Sequence, residues 1–111
     1  MDDIQLLNKN DFSGSHLNLS GMVVLECYEG ARSVLQIMKP VLQKLKAQSS
    51  KEFRHARIDV EQHGFIIKKF HVTNNPTYLV FNDGVLIDKM EGLVSFMQFM
   101  ETLNKHIGNS N

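Results

Sequence analysis

The sequence is poor in cysteine and proline and has no tryptophan. One cysteine among 111 residues excludes an internal disulfide, a CxxC pair and a cysteine-rich zinc site. Without tryptophan, an aromatic stacking platform for single-stranded RNA has no support in the sequence. Because 12 basic residues balance 12 acidic ones, electrostatic capture of nucleic acid or of an anionic membrane is not indicated. We therefore expect neither nucleic acid nor membrane as a partner.

Targeting signals and metal-binding motifs are also missing from the sequence. No apolar run approaches the roughly 20 residues that cross a bilayer, and the acidic start at residues 1–4 does not resemble a signal peptide. The histidines show no paired helical spacing, so we expect no metal and no cofactor. These observations predict a cytoplasmic protein in a reducing compartment. The length favours one domain over 1–111, with its core at about 22–107 and a frayed tail at 108–111.

Hydrophobic patterning predicts alternating strands and helices. Residues 22–28 are almost continuously apolar, which is typical of a central strand covered on both faces. Asn82-Asp83-Gly84 is a strong hairpin signal that joins two strands. Further strands are predicted at 4–7 and 53–60, and helices around Pro40, at 61–70 and after Ser95. Early alternation implies a parallel crossover and the late hairpin adds antiparallel strands, so we predict an α/β fold with a mixed sheet.

Several local features resemble the thioredoxin family over roughly residues 22–107. Asn75-Pro76-Thr77 stands where that family has its cis-proline followed by threonine. The features at the other matching positions are the turn at 81–84, the glycine at 92 and the helix-kinking proline at 40. This resemblance implies a thioredoxin-like three-layer α/β/α fold with a mixed central sheet.

The same resemblance exposes a departure at the family's active site. Counted back from Pro40, the family's W-C-G-P-C segment falls on residues 31–35, so that Arg32 and Leu35 occupy the two cysteine positions. Dithiol exchange needs a reactive thiolate and a second thiol that resolves the mixed disulfide. With Arg32-Ser33-Val34-Leu35 in place of CxxC, we expect a redox-inactive protein that is not an enzyme and has no disulfide reductase activity.

Two further positions matter for buried chemistry. Glu26 matches the position of a buried aspartate in the family, and His55 falls where the family keeps its paired lysine. We predict a buried Glu26–His55 charge pair, in which each group stabilises the charged form of the other. The open alternative is an exposed, uncoupled Glu26. Cys27 stands in the place of a core phenylalanine and is interpreted first as an inert buried thiol.

The family resemblance implies a surface that binds extended polypeptide beside the cis-proline. We therefore predict a protein–protein interaction module, or a small subunit of a larger assembly, with protein partners or a second copy of itself. Comparable thioredoxin-like families are the dynein light chains of ciliary outer arms and a spliceosomal subunit. The alternative is a thiol- or glutathione-dependent enzyme that uses Cys27 or Ser33. The predicted partner-binding residues are Tyr28, Arg32, Ser33, Val34, Leu35, Asn75, Pro76, Thr77, Gly92 and Leu93.

Overall fold

The computed structural model describes residues 4–30 and 33–108. Its main sheet has five strands and its helical segments include three α-helices. The elements in chain order are β1 (Gln5–Leu6), a 3₁₀ turn (Lys9–Asp11), β2 (Phe12–Ser13), β3 (His16–Leu17), β4 (Met22–Tyr28), α1 (Ser33–Gln48), β5 (Arg54–Asp59), α2 (Phe65–Phe70), β6 (Thr77–Asn82), β7 (Val85–Glu91) and α3 (Phe96–Gly108).

The main sheet has the strand order β1-β5-β4-β6-β7. β4 pairs in parallel with β5 and antiparallel with β6, and β6 forms the hairpin with β7. The first six residues of β4 are buried, as expected of a strand that is covered on both faces. The predicted α/β class and the mixed central sheet are confirmed.

Helices cover the two faces of the sheet unequally. α1 and α3 pack together on one face, where their apolar stripes meet alternate residues of β4 and β6. α2 lies on the other face, together with the small β2–β3 hairpin. Glu26 shares its face of β4 with Met22 and Val24, whereas Cys27 points into the α2 side. This alternation places the acid and the thiol in different layers of the molecule.

The structure corrects several sequence-based boundaries. The core extends beyond 22–107, because Leu7 and Leu17 are buried in the cluster on the α2 side. The second helix begins at Phe65 and not at 61, since residues 60–64 form a turn. By contrast, the helix around Pro40 continues past this residue as predicted, and α1 ends at Gln48. Gly108, assigned to the tail by the sequence, is the last residue of α3, and residues 109–111 lie outside the described residues.

None of the helices in the described ranges combines the length and the apolar character that crossing a bilayer requires.

Candidate functional site

Most of the predicted partner-binding residues lie together at one end of the main sheet, where strands begin and end. β4 and β7 terminate at this end and β6 begins there, next to a cis peptide bond between Asn75 and Pro76. The Glu29 main-chain N–H donates to Asn75 Oδ1 at 3.0 Å, and the Gly92 N–H donates to the Pro76 carbonyl at 2.8 Å. These two bonds fix the loop that contains Pro76 between the ends of β4 and β7.

Only part of the predicted partner-binding set is accessible at this end of the sheet. Leu35, Pro76 and Thr77 are buried, so they support the surface without forming much of it. Arg32 lies outside the described residues. The remaining members are exposed or half-buried, and we call the surface that they form the cis-proline surface: Tyr28, Ser33, Val34, Asn75, Gly92 and Leu93.

Gly92 has a backbone requirement that explains its residue type. Its φ is +81°, a left-handed conformation that glycine adopts without the steric cost of a side chain. The conformation turns the chain from β7 toward α3, and it presents Leu93 with 62% of its area exposed.

A fully buried carboxylate lies in the sheet below this surface. Glu26 has no solvent exposure, and its Oε1 accepts hydrogen bonds from His55 Nε2 and Arg57 Nε, both at 3.0 Å. Its Oε2 accepts from the Tyr78 hydroxyl at 2.6 Å. Burial by itself raises the pKa of Glu26, but the hydrogen bonds and the positive charges of His55 and Arg57 outweigh it and hold that pKa below its ordinary value.

The structure thus brings Glu26 and His55 together and adds two partners that the sequence analysis missed. Arg57 and Tyr78 are the residues directly opposite Glu26 on β5 and β6. Strand register could have predicted both partners, because directly paired residues of neighbouring strands point to the same face. Burial, together with the negative charge of Glu26, raises the pKa of the Tyr78 hydroxyl.

Cys27 lies one residue further along β4, on the opposite face of the sheet. Its side chain is fully buried within the apolar cluster on the α2 side. Burial and the nearby charge of Glu26 raise the pKa of the Cys27 thiol. The thiol form is therefore favoured over the thiolate that nucleophilic chemistry requires.

No group of three or more histidine, cysteine, aspartate or glutamate side chains within residues 4–30 and 33–108 could hold a metal ion. In this part of the chain, every buried side-chain nitrogen or oxygen has a hydrogen-bond partner.

Comparison with known proteins agrees with this geometry. The family model named Thioredoxin matches residues 3–105. A thioredoxin of Staphylococcus aureus strain Mu50 is 27% identical over 88 residues, which cover 79% of this chain and 85% of the relative. The sequence from strain MW2 has the same identity and coverage.

Solved structures show the same fold. Thioredoxin-2, described as a component of the malaria parasite's protein secretion machinery, superimposes with a TM-score of 0.67 at 16% identity, covering 96% of this chain and 97% of that one. A second malarial protein gives a TM-score of 0.65 at 17% identity, covering 79% of this chain and 99% of that one.

These comparisons overturn one prediction from the sequence. The expectation that the protein is not an enzyme, and has no disulfide reductase activity, is wrong, because the relatives are named thioredoxin and thioredoxins are oxidoreductases. The sequence argument extended the replacement of two cysteines to the chemistry of the whole protein. The absence of one thiol pair excludes one reaction route and does not exclude every activity that a protein with this fold can have.

Proposed function

Because the chain belongs to the thioredoxin family, we propose that it binds extended segments of partner polypeptides at the cis-proline surface. The observation that carries this proposal is the exposed, fixed main chain at Asn75. Within the described residues, neither the N–H nor the carbonyl of Asn75 has a main-chain hydrogen-bond partner, and its side chain is occupied with Glu29. An extended peptide can satisfy such groups by pairing with them as an added strand.

Exposed apolar side chains in the segment that follows Gly92 supply the second element of recognition. Leu93 is 62% exposed, and Met97, in the first turn of α3, is 65% exposed. The Ser95 hydroxyl accepts from the Gln98 N–H at 3.1 Å and fixes the start of that helix. Main-chain pairing gives little sequence preference, so the apolar contact is the part of the surface that selects side chains.

A role in a larger assembly is consistent with this binding mode. The structural neighbour thioredoxin-2 is described as a component of a protein secretion machinery, so a thioredoxin fold of this size can serve as a subunit. We extend that role to this chain as part of the same proposal, with the cis-proline surface as the contact.

Replacing Leu93 with glutamine should weaken peptide binding about tenfold, because it removes an exposed apolar contact without adding charge or disturbing the core. The measurement is fluorescence anisotropy with a panel of labelled, cysteine-free decapeptides of varied apolar content.

Leu6→Gln is the matched control. Leu6 is 72% exposed on β1, at the far edge of the sheet. Equal affinities for wild type, Leu93→Gln and Leu6→Gln would show that the cis-proline surface is not the binding site.

Thiol chemistry is a second candidate, favoured by the thioredoxin name of the relatives. The sequence offers one thiol, Cys27, and the exposed Ser33 hydroxyl at the start of α1 is the other nucleophile that the sequence analysis considered. A reaction at Cys27 requires an opening of the sheet that exposes this side chain.

We expect Cys27 to react with an aromatic disulfide reagent at least about a hundredfold more slowly in the native protein than in denaturant. Its burial and raised pKa are the reasons. The measurement is the rate of thiolate release at constant pH, with Cys27→Ser as the blank. A fast native reaction would favour thiol chemistry over peptide binding as the principal function.

A further inference from the structure

Charged side chains are unevenly distributed between the two ends of the main sheet. Four carboxylates lie at the end that bears the cis-proline surface, those of Glu29, Asp59, Glu61 and Glu91. At the other end, β4 and β5 begin beside an open cleft of about 570 Å³. Its charged lining residues are Lys46, Lys51, Arg54 and Glu52. The formal net charge of zero conceals this uneven distribution.

Glu91 is fixed beside the segment that leads into Pro76. Its Oε2 accepts a hydrogen bond from Asn74 Nδ2 at 2.5 Å and a second from Thr73 Oγ1 at 3.3 Å. Both donors are neutral, so neither of them offsets the formal charge of the carboxylate. Since Gly92 follows directly and bonds to the Pro76 carbonyl, this charge lies on one flank of the cis-proline surface.

The other flank carries Asp59 and Glu61. Asp59 Oδ1 accepts from the Gly30 N–H at 3.3 Å and from the Glu61 N–H at 3.0 Å. A Cβ atom added at Gly30 would lie 2.0 Å from Glu61 Oε2, so the Glu61 carboxylate rests against the main chain of Gly30. Glu29, exposed in the same loop, contacts the Asn75 side chain through its N–H.

These charges have no counter-ions in the described part of the chain. The salt bridges there involve the carboxylates of Glu26 and Asp88, and none involves the four at the cis-proline surface. Arg32, which lies outside the described residues, contributes one positive charge near Gly30 in the sequence. The four carboxylates at this end therefore have no salt-bridge partner among the described residues.

We propose that the cis-proline surface selects extended segments in which lysine or arginine flanks an apolar residue. This inference rests on the proposed function and names its ligand class. The apolar residue contacts Leu93, and the flanking cations lie against Glu91 on one side and against Glu61 and Asp59 on the other. Exposed ion pairs of this kind each change affinity by about two- to fivefold and weaken in salt.

The test uses three labelled, cysteine-free decapeptides with the same apolar centre and with lysine, glutamine or glutamate flanks. At about 0.02 M salt we expect the lysine peptide to bind about tenfold more tightly than the glutamine peptide, and the glutamate peptide to bind most weakly. At about 0.5 M salt the three affinities should converge.

Charge variants locate the preference on the surface. Glu61→Gln and Glu91→Gln should each reduce the lysine-to-glutamine ratio about two- to fivefold. Glu52→Gln changes the net charge of the protein by the same amount at the opposite end of the sheet, and it should leave the ratio unchanged.

The outcomes separate this inference from the proposed function. If the three peptides bind equally and Leu93→Gln weakens all of them, the binding site stands and the charge selection is wrong. If Glu52→Gln lowers the ratio as much as Glu91→Gln does, overall charge and not the surface is responsible, which also overturns the inference. If none of the peptides binds, the proposed function itself fails.

Discussion

Replacing Glu26 with alanine should lower the free energy of unfolding by about 3 kcal/mol at pH 7. The substitution leaves Arg57 without its carboxylate, and it leaves the His55 ring and the Tyr78 hydroxyl without an acceptor. A buried polar group without a partner raises the free energy of the folded state, because its desolvation is no longer offset by a hydrogen bond. Urea unfolding followed by circular dichroism gives the measurement.

Glu26→Gln is the conservative control for this prediction. The amide keeps the shape and one oxygen acceptor for Tyr78 but removes the charge, so we expect a loss of about 1–2 kcal/mol. A loss of less than about 0.5 kcal/mol for Glu26→Ala would contradict the stabilising role that the geometry gives to this carboxylate.

The pH dependence of stability supplies a second readout of the same group. The pKa of Glu26 in the folded protein lies below its ordinary value of 4.5, so the unfolded state takes up the proton first as the pH falls. Its contribution is therefore present above pH 4.5 and is lost as the pH drops through the lower, folded value. Glu26→Gln should show a smaller decline over this acid range, with the remainder due to other carboxylates such as Asp88, whose pKa is also lowered.

Replacing Phe99 with alanine should destabilise the protein by about 3–5 kcal/mol, which is the usual cost of deleting a fully buried ring. Phe99 has no solvent exposure, and its ring meets that of Tyr78 edge-on, with centroids 5.0 Å apart. The cavity therefore opens beside the side chain that donates to Glu26.

Phe96→Ala is the matched control, one turn earlier on the same helix. Phe96 is half-buried, with the Lys44 ammonium 4.3 Å from its ring centroid, and its loss should cost about 1 kcal/mol. Equal losses for the two variants in urea unfolding would contradict the packing described for α3.

The elements predicted most closely were those whose stability is encoded locally. β4 has the predicted bounds because both of its faces are covered and all but one of its first six residues are apolar. The turn between β6 and β7 follows from its own residues, since Asp83 and Gly84 both adopt positive φ, as a two-residue hairpin requires. In such segments, the residues that determine the local structure lie within a few positions of it in the sequence.

The segment before β4 behaved differently. The β2–β3 hairpin was missed because its sequence is rich in asparagine, serine and glycine, and its stability comes from distant partners. The Leu17 N–H donates to the Gly84 carbonyl, and the Phe12 ring packs against Phe65 and Phe70. Contacts of this range are invisible to local patterning.

The candidate site was predictable in part for a similar reason. The Glu26–His55 position followed from the family alignment, but Arg57 was overlooked because an arginine in a strand is usually exposed. Leu35 was assigned to the surface although it lies in the buried stripe of α1 with Met38 and Leu42. That spacing of three and four residues was present in the sequence and predicts an inward position.

The uneven distribution of charge between the ends of the sheet also affects how the molecule meets a partner in solution. With a formal net charge of zero, the protein has no net charge that attracts a charged partner from a distance, so the four carboxylates act on such a partner only at short range. Such a local field orients an approaching charged molecule more than it attracts it. The field acts only within about a Debye length of the surface. Encounters should therefore be accelerated by correct orientation at short range, with little gain in the frequency of collision.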